Sequence, residues 1–274
     1  MSLLKGTYAD CRPRPLAAVL CALVCACALL PTAVTGQAQQ PGQQTVEELI
    51  SQLQRGQFDA ATLHSLARAR AVQAIPGMKQ QFDAKQDVVM KMALASALVR
   101  LGEKTPVYWD YLVKYATSAV GNDAPFPTPF DSQGKVVREH LAPEFLQWAK
   151  AHNTDPNTAA ETQIYVLPAY LGFLAMTGET RGLAVLRKGL SSPNYMVQAM
   201  AAKGLAKLQD IDSVPRIIEV CAKAPSDVAP LIARSLVFFN TPQASSAAER
   251  FIPDREVLEE LRKLNREKGI DALF

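Results

Sequence analysis

The sequence predicts an all-α fold: an α-solenoid of antiparallel helix hairpins, interrupted by an irregular Pro/Phe-rich insertion. Three observations predict it. Past residue 45, apolar residues recur at spacings of three and four rather than two, so no segment reads as a strand. Two neighbouring stretches keep apolar character at one fixed offset, the step from Leu183 to Val214. Proline, asparagine and aspartate gather where a chain must reverse between two helices.

The chain opens with Lys5, Arg12 and Arg14, followed by the uncharged run "LAAVLCALVCACALL" from Leu16 to Leu30. That length suits a signal-peptide core and falls short of the roughly 20 residues that a spanning helix needs. Pro31 ends the run, and Gly36-Gln37-Ala38 offers small residues to a peptidase. Residues 1–38 therefore read as a signal peptide cleaved after Ala38, with an uncleaved anchor and a lipoprotein at Cys27 as the alternatives. Four of the five cysteines lie in this leader. Only Cys221 remains beyond it, at an apolar helical position that suits a small buried hydrophobe better than a reactive thiol. The net charge of +3 drops to about +1 once Lys5, Asp10, Arg12 and Arg14 leave with the leader. No lysine or arginine stripe stands out along the sequence, so neither nucleic acid nor an anionic membrane is expected as a partner.

Residues 39–44 read as a disordered Gln-rich spacer. The solenoid is expected over residues 45–274. Thr45 and Glu48 form a capping-box pattern, and helical periodicity starts behind it with Val46, Leu49, Ile50 and Leu53.

The offset fixes the repeat. Leu183 falls on Val214, Leu186 on Ile217, Leu190 on Cys221 and Val197 on Val228. Ala201 falls on Ile232, Ala202 on Ala233, Leu205 on Leu236 and Leu208 on Phe239. Pro193-Asn194 and Pro225-Ser226-Asp227 occupy the same corner. An earlier copy pairs Ile75, Met78 and Phe82 with Met90, Leu94, Ala95, Leu98 and Leu101. Ile75-Pro76 matches Val214-Pro215, with proline in the first helical turn, where its missing N–H costs little. One hairpin cannot cover both of its apolar faces; stacking hairpins buries a continuous core.

On these residues the hairpins "IPGMKQQFDAKQDVVMKMALASALVRLGE", "GLAVLRKGLSSPNYMVQAMAAKGLAKLQD" and "SVPRIIEVCAKAPSDVAPLIARSLVFF" resemble HEAT-like repeats of the short bacterial kind. The shared marks are the hydrophobic-Pro opening, the polar corner, the Ala-rich second helix and the Leu-Gly-Glu or Leu-Gln-Asp exit. As a whole the chain is similar to exported bacterial HEAT-repeat proteins. The resemblance implies a scaffold or partner-binding surface.

The array departs from itself at an insertion over residues 121–141. "GNDAPFPTPFDSQGKV" interleaves Pro125, Pro127 and Pro129 with Phe126 and Phe130, which no helix tolerates. A helix is expected near Pro143. Another should start at Asp155-Pro156 and kink at Pro168. Upstream, "TPVYWDYLVKY" places Tyr108, Tyr111 and Tyr115 on one helical face around Trp109 and Asp110. Tyr108, Trp109, Asp110, Tyr111, Phe126 and Phe130 are candidate partner-binding residues. The competing reading is that the tyrosine face fills the core between two halves of the array. Beyond Thr241-Pro242, residues 254–268 read as a charged capping helix with Leu258, Leu261 and Leu264 inward and Glu259 paired with Lys263.

Chemistry is sparse. His64, His140 and His152 show no metal-ligand spacing, and neither a nucleophile elbow nor a phosphate loop is present. No catalytic, cofactor-binding or metal-ligating residue is assigned and no cofactor is expected. The sequence therefore points to an exported, non-enzymatic scaffold, periplasmic or secreted, that binds a protein or peptide and leaves the membrane once its signal is cleaved. The alternative is an enzyme or catalytic accessory subunit with its site within residues 108–152.

Overall fold

The computed structural model describes residues 44–127 and 141–274. The expected signal segment, all but the last spacer residue, Phe130 and His140 lie outside the described residues. All regular structure within them is helical, and no strand occurs among them.

Helices α1 (Val46–Gln54), α3 (Ile75–Ala84), α5 (Pro106–Val120), α9 (Leu183–Gly189), α11 (Val214–Lys223) and α13 (Pro242–Phe251) make one layer. Helices α2 (Ala60–Arg68), α4 (Val88–Arg100), α8 (Leu167–Met176), α10 (Tyr195–Lys207) and α12 (Ala229–Ala233) make the second, each packed on the next. Side chains and prolines set the starts. Thr45 and Glu48 close their capping box, with Thr45 N–H donating to Glu48 Oε2 at 2.8 Å. Asp59, Asp87, Asn194 and Thr241 accept from the backbone at the starts of α2, α4, α10 and α13. Proline occupies the first turn of α3, α5, α11 and α13.

Second-layer helices share one ending. Arg70, Gly102, Gly178 and Gln209, all in the left-handed region, stand two residues past α2, α4, α8 and α10, and Asn240 stands two past the 3₁₀ segment Arg234–Phe238 that continues α12. After α2, α4 and α10 the next N–H returns to a carbonyl five residues back: Ala71 to Leu66, Glu103 to Leu98 and Asp210 to Leu205, each at 3.0 Å. That is the Schellman arrangement, which uses carbonyls a helix end would otherwise leave unpaired. Four residues before each left-handed position stands a leucine: Leu66, Leu98, Leu174, Leu205 and Leu236. All five are at most 1% exposed, so the exit turn and the core row are in register. In the eight offset pairs read from the sequence, every residue is buried except the half-buried Leu183 and Leu208. Contact between α8 and α10 is close: a Cβ on Gly204 would lie 2.8 Å from Ala175 Cβ and 2.9 Å from Leu186 Cδ2.

The interruption runs beyond the expected 121–141 to residue 166 and opens between α5 and α8, which pack directly on each other. It holds α6 (Pro143–Ala151) and α7 (Pro156–Glu161), with its own small core of Ala124, Phe145, Ala159 and Ala160. The kink expected at Pro168 takes the form of a π-helical turn over Thr162–Val166. A proline ring clashes with the carbonyl four residues back and offers that carbonyl no N–H. The wide turn relieves this, with Leu167 N–H reaching Thr162 O instead. From Leu167 to Met176 every residue of α8 is buried, as befits a helix enclosed by α4, α5 and α10. A buried amide chain ties the insertion down: Asn194 Nδ2 donates to Gln163 O (2.7 Å) and Oε1 (2.9 Å). Gln163 Nε2 in turn donates to Asn122 Oδ1 at 2.8 Å.

Two ion pairs join a first-layer helix to the exit turn of a second-layer helix at equivalent positions. Arg187 of α9 grips Asp210 with two bonds of 2.8 and 2.5 Å, and Lys79 of α3 meets Glu103 at 2.5 Å. The Arg187 bonds, joined by that from Ser213, hold the buried Asp210 carboxyl below its usual 3.8 against an opposing desolvation penalty. A carboxyl depressed on folding contributes stability that is complete above its unfolded value and is lost as pH falls through the lower folded value. Asp210→Asn is therefore expected to cost about 1–2 kcal/mol at pH 7, with the half-exposed Arg187 keeping the figure small. It should also flatten the decline in stability below about pH 4. Urea midpoints measured from pH 7 down to 2.5 would check this; an unchanged acid limb would show that the pair does not couple to folding.

The final helix, α14 (Arg255–Lys268), buries Leu258 and half-buries Leu261 and Leu264. The expected Glu259–Lys263 pair does not form. Glu259 instead meets Arg262 at 2.8 Å, while Lys263 turns to Glu267 at 4.0 Å. Arg262 wins because its fork also reaches Glu249 of α13 and bridges two helices. Gly269, in the left-handed region, then turns the chain back as a 3₁₀ segment, Gly269–Leu273, against α10.

Candidate functional site

The aromatic candidates divide. Tyr108, Tyr111 and Tyr115 do share a face. Phe82 lies edge-on to Tyr108 at 5.0 Å and to Tyr111 at 5.3 Å. The row continues through Tyr111–Tyr115 at 4.7 Å to Tyr115–Tyr170 at 5.5 Å. It therefore lies between α3, α5 and α8, and Tyr108 is buried in the main core. Trp109 is half-buried, with the Arg181 guanidinium over its ring at 4.2 Å. Asp110 is exposed. Phe126 packs on Tyr195, 5.2 Å away at the start of α10, apart from the tyrosine row. His152 stacks on Trp148 at 4.4 Å and donates from Nδ1 to the Trp148 carbonyl at 2.8 Å. Cys221 is buried, which pushes its thiol up to about 12 and withdraws it from thiolate chemistry. Among the described residues no group of three or more His, Cys, Asp or Glu side chains could hold a metal.

The fold gathers charges that the linear sequence disperses. A cavity of about 360 Å³ opens where the second-layer helices end, lined among others by Arg68, Arg100, Met176 and Lys207. Those four residues occupy equivalent positions, two before the left-handed residues Arg70, Gly102, Gly178 and Gln209. Each cation sits in the last turn of its helix, where the helix dipole favours positive charge. Side-by-side packing then brings three such ends together with Arg70 on the same rim. Among the described residues Asp271 is the only acidic side chain in the lining; it meets Lys207 Nζ at 2.8 Å. Among the described residues no carboxylate lies within ion-pair distance of Arg68 or Arg100.

His64 records the field of this site. Arg100 Nη1 lies 3.2 Å from His64 Nδ1. A guanidinium only donates, so Nδ1 accepts and the imidazole is neutral, with its proton on Nε2. Burial first, then the positive charges of Arg100, Arg68 and Lys207, lower its pKa to about 4. The same cations act oppositely on Asp271, held below the usual carboxylate value by its bond to Lys207 and the more distant Arg68 and Arg100. The arrangement suits an anion presented beside an apolar group, since Ala67, Met176 and Phe274 share the lining. The signal for this site lay in the shared spacing of these helix ends from their exit turns rather than in any run of charge.

No model of a known protein family, no curated protein and no solved structure matches this chain.

Proposed function

We propose that the chain is an exported, non-enzymatic scaffold: a short solenoid of HEAT-like hairpins that binds a protein or peptide partner on its second-layer face. The observation that carries this reading is the common register of the five second-layer helices. Each leaves through a left-handed residue two places after an equivalent position, and four of those positions line one cavity. A row of equivalent positions on parallel elements is how repeat proteins build extended binding surfaces. Export is supported by the basic leader, its apolar core from Leu16 to Leu30 and the small residues before Gln39.

Affinity capture from the native cell envelope tests both parts. Tagged protein recovered there should begin at or within a few residues of position 39. A macromolecular partner should be retained by the wild type and lost from Arg68→Ala/Arg100→Ala/Lys207→Ala, whose melt should show it folded. A partner lost only when residues 121–136 are replaced by a Gly/Ser linker would move the site to the aromatic insertion. Capturing none with any variant would overturn the scaffold reading.

A further inference from the structure

We propose that the cavity at the second-layer helix ends is a binding site for an acidic peptide, and that residues 269–274 of this chain are its built-in occupant. Within residues 269–274, Asp271 and Phe274 line the cavity, and Leu273 anchors the segment in the adjoining core. Asp271 supplies a carboxylate to Lys207 at 2.8 Å. Leu273 is buried. Phe274 places its ring 4.5 Å from Lys203 Nζ and against Gly172, where a Cβ would stand 3.8 Å from the ring. The ligand class follows from this chemistry: an aspartate or glutamate followed, about three residues on, by an aromatic or large aliphatic side chain.

The occupant neutralises the site incompletely. Arg68, Arg70, Arg100 and Lys207 share the lining with a single acidic side chain, and that of Asp271 is 71% exposed. Helix dipoles account for each cation singly, but they leave Arg68 and Arg100 facing solvent and cavity without a counterion among the described residues. Exposed ion pairs are weak and exchangeable, so the Asp271 anchor yields readily to an incoming carboxylate. Leu273 and Phe274 must yield to an incoming apolar side chain. A partner segment with both groups competes with residues 269–274 for the same ground, whereas a bare anion replaces only Asp271.

The test uses the hexapeptide Gly-Ile-Asp-Ala-Leu-Phe, fluorescently labelled and followed by anisotropy on the full chain. Wild type should bind it weakly, because its own segment competes. Asp271→Asn should bind up to about fivefold more tightly, and a chain ending at Lys268 about tenfold or more. Arg100→Met in the Asp271→Asn background should remove that gain. A probe with asparagine in place of aspartate should bind about tenfold more weakly. If the shortened chain melts early, Asp271→Asn decides alone, since its substitution lies on an exposed side chain.

Equal affinity across wild type, Asp271→Asn and the shortened chain would overturn the proposal, as would equal binding of the asparagine probe. Millimolar inorganic phosphate displacing the probe as effectively as unlabelled peptide would reduce the site to a plain anion hole and also overturn it. The inference rests on the scaffold reading, yet the two fail separately. A partner captured by a protein that ignores the peptide removes this proposal and leaves the scaffold. Peptide binding without a captured partner does the reverse.

Discussion

Leu205→Asp should abolish the cooperative thermal transition of the second half of the chain. Leu205 is fully buried, in the row formed with Leu174 and Leu236, and its carbonyl accepts the Asp210 N–H that closes the exit turn. Removing the leucine side chain alone costs about 2–5 kcal/mol in transfer and cavity terms. A carboxylate in its place must be desolvated without a partner or take up a proton, which adds several kcal/mol. The sum, about 5 kcal/mol or more, matches the whole stability of many domains. Leu205→Ala is the control, expected to cost about 3 kcal/mol and to keep a single transition at a lower midpoint. Far-UV circular dichroism melts of the three proteins decide the matter. An aspartate variant melting with the wild type would mean that the row of leucines is not the core.

Asn194→Ala carries the second large effect. Asn194 Oδ1 caps α10 by accepting from Met196 and Val197 N–H, a contribution of about 1 kcal/mol. Its amide also donates to both oxygens of Gln163, which is 2% exposed and cannot turn to water. Leaving those acceptors unpaired adds about 1–3 kcal/mol. A loss of about 3 kcal/mol is therefore expected, well above that for an exposed cap such as Asp87→Ala on α4, about 1 kcal/mol. Asn194→Asp is informative because it keeps the cap but points a carboxylate at two acceptors, so it should not rescue stability. Urea denaturation gives all three values. Equal costs at positions 194 and 87 would show that the amide chain adds nothing to the cap.

Much of the helical arrangement was readable from residue spacing. The offset that carries Leu183 onto Val214 located α9 to α13, because the buried positions of one hairpin must meet those of the next. Thr45 and Glu48, Pro76 and Pro215 marked starts whose hydrogen-bonding logic is local. The candidate site was not readable in the same way. Arg68 and Arg100 end separate hairpins, and Lys207 lies far along the chain beyond the whole insertion, so no window of charge contains them. What relates them is their distance from an exit turn, and at Arg70 and Gln209 that turn is made by residues that seldom adopt a left-handed conformation. With glycine there, as at Gly102 and Gly178, the register would have been plain from the start. The Glu259–Lys263 expectation failed for a different reason: spacing within a helix cannot foresee a competitor on its neighbour, here Glu249.

The position of the insertion carries a cost in chain entropy. Helices α5 and α8 are partners across the whole stretch 121–166, while α3 and α4 are joined by 85–87 alone. Loop-closure entropy grows as (3/2)RT ln n, so bringing α5 and α8 together costs about 2 kcal/mol more than closing a hairpin on a short turn. The helices within the insertion reduce this by shortening the effective loop. To either side of that junction, contacts between successive helices are local in sequence and inexpensive to close, apart from the return of 269–273 onto α10. The molecule is thus two mainly short-range assemblies joined across the insertion by the packing of α4 and α5 on α8 and of α5 on α9, and α8, the most enclosed helix, carries most of that junction.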